Sequence, residues 1–250
     1  MNNYFIHKKI LYRIFILLPI FVFSIQAQSQ SRLPFQVGEE ITYSVWFNFI
    51  KAGRSTMSTV SIDTIDGAPT FHTVLKTWSL PVLDKVYKVR DHVESWVDAE
   101  GLFSRKFKKK IREGLYKKKY SVRFDYDDSL AYSTSDTIPI SGPVHDALSI
   151  FYYVRAESLW VGRIFNLNNF DNNKFKPYKI IVRKVEKVKT PAGEFECFVL
   201  EPYAEKGNLF KYKGQLTIYL SNDVRRLPVK IESEATIGSM IMKIESYRNK

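Results

Sequence analysis

From residue 41 onward, apolar and polar side chains alternate in short runs, the period-two signature of strands with one buried face. Ile41–Phe49 sets Ile41, Tyr43, Val45, Phe47 and Phe49 against Thr42, Ser44, Trp46 and Asn48. The same reasoning predicts strands over Gly53–Ile65, Thr70–Trp78, Lys85–Val97, Pro177–Val188, Glu194–Tyr203, Lys211–Leu220, Arg225–Ser233 and Thr236–Tyr247. Two more arms flank Glu113-Gly114. Turn residues separate them: Asp66-Gly67, Thr190-Pro191-Ala192-Gly193 and Ser221-Asn222-Asp223. Pro228 marks its strand as an edge or a bulge. Ser129–Ile138 is thin in core residues and reads as an edge or a loop.

The period changes once. After the Ser141-Gly142-Pro143 break, Val144, Ala147, Leu148, Phe151 and Val154 recur at helical spacing, predicting a helix over about His145–Ala156. Asp146 suits its positive end. The fold expected is mainly β, with about ten to twelve strands and one helix. Consecutive hairpins argue for an antiparallel meander curved into an incomplete barrel, the helix covering its inner face.

The leading residues follow a different pattern. Lys8, Lys9 and Arg13 precede the apolar run Ile14–Phe23 and then Ser24-Ile25-Gln26-Ala27, which reads as a signal peptide over residues 1–27. The run is too short for a span of about 20 residues and contains Pro19. No cysteine follows it to carry a lipid. Residues 28–250 are therefore expected to be one exported β domain with no transmembrane span, in the periplasm of a two-membrane cell or outside a single-membrane one. The single cysteine, Cys197, excludes an internal disulfide framework and is expected to be buried.

Charge is concentrated. The chain carries 38 Lys and Arg against 26 Asp and Glu. Arg105–Arg123 alone holds ten basic residues and one acid, and the rest of the mature chain balances to neutrality. Tyr116, Tyr120, Val122, Phe124 and Tyr126 alternate with Lys117, Lys119, Ser121 and Arg123. On the preceding arm Phe103, Phe107 and Ile111 oppose Lys106, Lys108 and Lys110. A hairpin built this way buries its rings and displays cations. Lys106, Lys108, Lys110, Lys117, Lys119 and Arg123 are the candidate anion-binding residues; the same lysines also suit a solvated edge guarded against aggregation. No nucleic-acid partner is expected, because an exported protein rarely meets one and these aromatics face inward rather than forming stacking platforms.

Motifs for chemistry are sparse. No GxSxG, Walker, GxGxxG or HExxH stretch occurs, so no cofactor is expected. His72, His92 and His145 lack metal-ligand spacing, and no metal is expected. Asp91-His92 and His145-Asp146 are sequence neighbours that diverge on a strand or a helix, so neither makes a triad by itself. No catalytic residue is assigned. Glu94, on the same strand face as Trp96, is the one acid that invites attention.

Several stretches are similar to the bacterial domain-of-unknown-function 3108 family. They are Gly38-Glu39-Glu40 with Tyr43-Ser44-Val45 and Ala52-Gly53; Glu94–Asp98 with Gly101-Leu102; Ser149–Arg155; Thr190–Cys197; and Leu220–Asp223 with Arg226–Val229. The resemblance implies an exported, mostly β protein and brings no reaction with it. A looser likeness, resting on the Trp96–Asp98 hairpin and Arg226-Leu227-Pro228, is to periplasmic lipoprotein carriers that hold acyl chains in a half-barrel. Three readings follow. The first is a non-catalytic envelope protein that binds an amphiphile, acyl chain or envelope glycan in the curved sheet and docks through the basic hairpin on an anionic membrane or envelope component. The second is a hydrolase of envelope polysaccharide or lipid. The third is an assembly partner without a small ligand. Trp96–Phe103 also echoes Tyr219–Arg226, each reading as strand, acidic turn, basic strand.

Overall fold

The computed structural model describes residues 33–204, 216–235 and 238–249. The expected signal peptide, the Lys211–Gln215 part of one predicted strand and Thr236-Ile237 lie outside the described residues. Fourteen strands form one antiparallel sheet. They are β1 (Glu40–Phe47), β2 (Ile50–Ile65), β3 (Ala68–Ser79), β4 (Arg90–Asp98), β5 (Ser104–Glu113), β6 (Tyr116–Asp125), β7 (Leu130–Ser133) and β8 (Thr137–Pro139), then β9 (Ile164–Asp171), β10 (Lys174–Thr190), β11 (Gly193–Ala204), β12 (Leu216–Ser221), β13 (Pro228–Ala235) and β14 (Gly238–Arg248). Between β8 and β9 lies the helix α1 (Ser149–Ala156). Sheet neighbours are sequence neighbours throughout, except where β1 pairs with β14.

The expected curved meander is therefore the fold. No ladder joins β8 to β9, and the barrel stays incomplete. Its two ends meet through a strap. The Ser104 N–H donates to the Val144 carbonyl at 2.9 Å, while His145 exchanges 2.8 Å backbone bonds with Asn168 and Phe170 on β9. Lys109 reaches Asp171 at 2.5 Å, and the rings of Phe124 and Phe170 meet edge to face at 5.3 Å.

The helix lies in the concavity, as the pattern predicts. Ile150 and Val154 pack with Phe165, Ile180, Phe198 and Leu200, whereas Tyr152 joins Phe35, Phe71 and Val97. It starts at Ser149 rather than His145. Asp146 explains the shift: its carboxylate accepts the Leu148 and Ser149 N–H groups at 2.7 and 3.0 Å, and its own N–H donates to the Ser149 hydroxyl at 2.8 Å. These reciprocal bonds close an Asx-type turn that ends the extended strap and leads into the helix, whose N-cap is Leu148.

Other boundaries moved for local reasons. The strand expected from Lys85 begins at Arg90. Asp84 clamps Arg90 and the Ser79 hydroxyl, holding the preceding residues in turns. β9 carried too weak a pattern to be predicted, because Asn166, Asn168 and Asn169 interrupt its apolar residues. Ser129–Ile138, read as an edge or loop, supplies β7 and most of the edge strand β8. Consecutive positions Cys197–Leu200 are all buried, so β11 is covered on both faces, which a strict alternation does not anticipate. The echoed turns share a design: Asp98 accepts the Gly101 N–H and pairs with Arg105, Asp223 accepts the Arg225 N–H and pairs with that residue's side chain, and Leu102 and Arg226 are both left-handed.

Candidate functional site

Strand register places most of the predicted cations on one outward face. Lys106 pairs with Arg123, Lys108 with Ser121, Lys110 with Lys119 and Arg112 with Lys117. On the other side of β5, Trp96 opposes Lys106, Glu94 opposes Lys108 and His92 opposes Lys110. β3 extends these rows with His72 beside Trp96 and Lys76 beside His92. Two adjoining shallow grooves of about 360 and 330 Å³ run over this face. One is bordered by Lys76, Trp78, Arg90, His92, Lys110 and Arg112, the other by Glu94, Lys108, Lys110, Lys119 and Ser121.

The six predicted residues differ in what they have left to offer. The Lys106 and Lys108 ammonium groups sit 4.7 and 5.3 Å from the Trp96 ring centroid, within cation–π reach. Arg123 binds both Asp66 and Asp125, at 2.8 and 3.0 Å, so its charge is neutralised within the protein. Lys110, Lys117 and Lys119 are exposed and make no ion pair with a described residue. Lys109 and Lys118 leave this row because they occupy alternate positions, and Lys109 reaches instead for Asp171.

The register also assembles a cluster that sequence spacing did not reveal. The His72 ring stacks on Trp96 at 4.4 Å and 7°. Its Nε2 lies 3.2 Å from Glu94 and its Nδ1 lies 3.7 Å from Asp63, which accepts the Trp96 indole N–H at 2.8 Å. That indole bond, followed by the Ser61 hydroxyl, holds the Asp63 carboxyl below its ordinary range. Trp96 is thus flanked by His72 on β3 and Lys106 on β5, and both neighbours orient it. The signal was present in the sequence only as side-chain identity; pairing β3 with β4 was needed to bring residues 72 and 96 together.

Around the capping turn, His145, Asp146 and Ser149 have the composition of a hydrolytic triad but not its geometry. His145 Nδ1 stands 3.5 Å from the Ser149 hydroxyl. Asp146 turns away from the imidazole and accepts the Ser95 hydroxyl at 2.5 Å. Ser149 is fully buried, so no substrate reaches its oxygen. The residues build the fold.

Burial lowers the His145 pKa from 6.5 to about 4. The neutral ring is therefore the folded form. Stability is complete above pH 6.5, the unfolded value, and is lost as pH falls toward 4 while the unfolded chain takes up the proton. The whole interval is worth about 3 kcal/mol. Denaturant melts between pH 7 and pH 4.5 should show wild type losing stability faster than His145→Gln. Parallel losses in the two proteins would refute the assignment.

No helix among the described residues is long and apolar enough to cross a membrane. Residues 41–245 match the family model described as "Protein of unknown function (DUF3108)". The β-barrel-like protein of domain of unknown function DUF1849 from Brucella abortus superposes with a TM-score of 0.55 at 9% identity, over 85% of this chain and 97% of that one. It shares the fold. A "putative lipoprotein" from Parabacteroides distasonis gives a TM-score of 0.34 at 9% identity, over 85% of this chain and 96% of that one. A "putative exported protein with YmcC-like fold" from Bacteroides fragilis also gives 0.34, at 13% identity over 87% and 98%. At that score neither superposition carries weight. No curated protein matches the chain.

Proposed function

The chain belongs to the DUF3108 family, and from that premise we propose that it is a non-catalytic cell-envelope protein, exported by residues 1–27 to the periplasm of a two-membrane cell, or outside a single-membrane one, where it docks on an anionic surface through the outward face of β5 and β6. The carrying observation is the row Lys110, Lys117 and Lys119, exposed and unpaired among the described residues beside the grooves. A solvated protective edge needs lysines too. It does not need so many on two adjacent strands while the rest of the mature chain is balanced.

The curved sheet was expected to hold an amphiphile, acyl chain or glycan. Its concave side is taken up by α1 and the residue before it, with Leu148, Ile150, Tyr152 and Val154 buried among the strands. Ligand contact therefore belongs to the outer basic face in this reading, and an anionic lipid headgroup or acidic glycan is the chemistry it suits.

Near an anionic surface each lysine contributes about 1 kcal/mol. Replacing Lys110, Lys117 and Lys119 with glutamine should weaken binding to anionic vesicles about a hundredfold in low salt. Extending the change to Lys106 and Lys108 should weaken it further, whereas Arg123→Gln should alter it little, since Arg123 is already neutralised. Unchanged vesicle cosedimentation of the triple variant, with an unchanged melting profile, would rule the docking role out.

A further inference from the structure

In an antiparallel meander every second connection emerges at the same end of the sheet. At one end lie the β2–β3 turn with Asp66, the β4–β5 turn with Asp98 and Glu100, the β6–β7 turn with Asp127 and Asp128, the β10–β11 turn flanked by Lys189 and Glu194, and the β12–β13 turn with Asp223. At the other end lie the β1–β2 turn, the Leu80–Val89 connection and the β5–β6 turn, together with polar turns that carry Asp136 between β7 and β8 and Asn172 and Asn173 between β9 and β10. At the first three the tips are apolar and open to solvent. Phe49 is 94% exposed, Val86 85% and Leu115 fully so, with Ile50, Val82 and Tyr116 more than half exposed.

These tips form one continuous rim. The Leu80 N–H donates to the Ala52 carbonyl at 2.9 Å, tying the second connection to β2. The Gly114 N–H donates to the Lys88 carbonyl at 2.9 Å, tying the third to the second. Lys85, Lys88, Arg112, Lys117 and Lys119 are exposed around it. Of the nearby acids, Asp84 is taken up by Arg90, and Asp91 and Glu113 share a hydrogen bond, burial raising the pKa of each.

We propose that this rim is a membrane-anchoring end, whose apolar tips enter the interface of an anionic bilayer while the surrounding cations bind lipid phosphates. The inference rests on the docking reading and narrows it to the end of the β5–β6 face that holds Lys110, Lys117 and Lys119: the sheet stands on its apolar end and points the β2–β3, β4–β5 and β12–β13 turns away from the surface. Apolar side chains at loop tips gain by entering the acyl boundary, and flanking cations add attraction to anionic headgroups. A bilayer fits this arrangement better than a protein partner does. Convex tips on three separate turns each insert independently into lipid, whereas a protein would need a matching pocket for each. The far end offers no comparable attraction, since its described turns expose no run of apolar tips and Asp66, Asp98 and Asp223 bind Arg123, Arg105 and Arg225 there.

The native thiol makes the test clean. Cys197 is buried, and burial pushes its pKa up to about 12, so introduced cysteines are the ones a maleimide labels. Phe49→Cys, Leu115→Cys and Val224→Cys, the last 90% exposed at the acidic end, would each carry a nitrobenzoxadiazole dye in protein isolated from its native cells. With vesicles of phosphatidylglycerol and phosphatidylcholine, the dye should shift to the blue at 49 and 115, be quenched there by nitroxide lipid, and stay unchanged at 224. Phe49→Ser combined with Leu115→Ser should lower affinity by about tenfold or more without moving the melting curve. Vesicle binding with silent dyes at 49 and 115, or with a shift at 224, would overturn the inference and leave the docking reading in place. Absence of binding to the anionic vesicles would remove both. A vesicle-independent shift that grows with protein concentration would assign the rim to a second copy of the chain and overturn the inference.

Discussion

Replacing Arg155 with alanine is expected to destabilise the fold by about 3–5 kcal/mol, a large part of the 5–15 kcal/mol that holds an ordinary domain together. Arg155 is fully buried and clasps Glu39 in a two-pronged pair, with both N···O distances at 2.7 Å. The same guanidinium donates to the carbonyls of Pro34 and Arg225 at 3.1 and 3.3 Å. It therefore ties the entry to β1, the last turn of α1 and the turn before β13 into one knot. Truncation leaves the Glu39 carboxylate in the interior with no cation, which costs far more than the pair contributes over an apolar replacement. Urea melts of Arg155→Ala should show a sharply lowered midpoint. Glu39→Leu with Arg155→Leu should recover a good part of the loss, and Arg248→Ala, which breaks the exposed pair with Glu40, should change stability by about 1 kcal/mol or less. An Arg155→Ala midpoint equal to that of Arg248→Ala would contradict the account.

Phe170→Ala is expected to cost a similar amount, about 3–5 kcal/mol, and to do so in a particular place. Phe170 is fully buried and packs edge to face with Phe124 at 5.3 Å and Phe175 at 5.0 Å. Phe170 and Phe124 belong to the apolar cluster, with Phe107, Val122, Ile140 and Val144, that fills the seam where the sheet's two ends meet without a ladder. Backbone bonds across it are few: the Ser104 N–H to Val144, and His145 with Asn168 and Phe170. Emptying the ring's volume should open this seam before the rest of the sheet. Hydrogen exchange should accelerate first at the amides of Ser104, His145 and Phe170 and in β6–β8, with β1–β3 and β14 following the global loss of stability. Uniform acceleration over all fourteen strands would show that the seam is not a separate weak point.

Much of the architecture was legible because half-buried strands write their pleat into the sequence. Ile41, Tyr43 and Val45 are buried together on β1, and Tyr120, Val122 and Phe124 on β6, as alternation requires. The helix was legible because Leu148, Phe151 and Val154 break that period. The asparagines of β9 mask a strand whose Phe165, Leu167 and Phe170 nonetheless turn inward. The site was legible in part. Which lysines share a face follows from counting by two; that Arg123 is consumed by Asp66, far away in sequence, depends on the curvature that brings the β2–β3 turn to β6. The His72–Trp96 stack and the Glu39–Arg155 pair are long-range contacts between residue types common on any surface, so neither announces itself before the strands are paired.

The pairing of the first strand with the last bears on how the molecule comes into being. A chain under synthesis emerges from its leading end, and each hairpin can zip onto the one before it within a short stretch of backbone. The outer border of Glu40–Phe47 has to wait until Gly238–Arg248 arrives, nearly the whole length of the polypeptide later. Until then its amides and carbonyls lie bare beside a growing sheet, an inviting template for a stray strand. Newly made copies are thus most vulnerable to mispairing just before the final segment is delivered, and any holding factor they meet has that waiting border to shield.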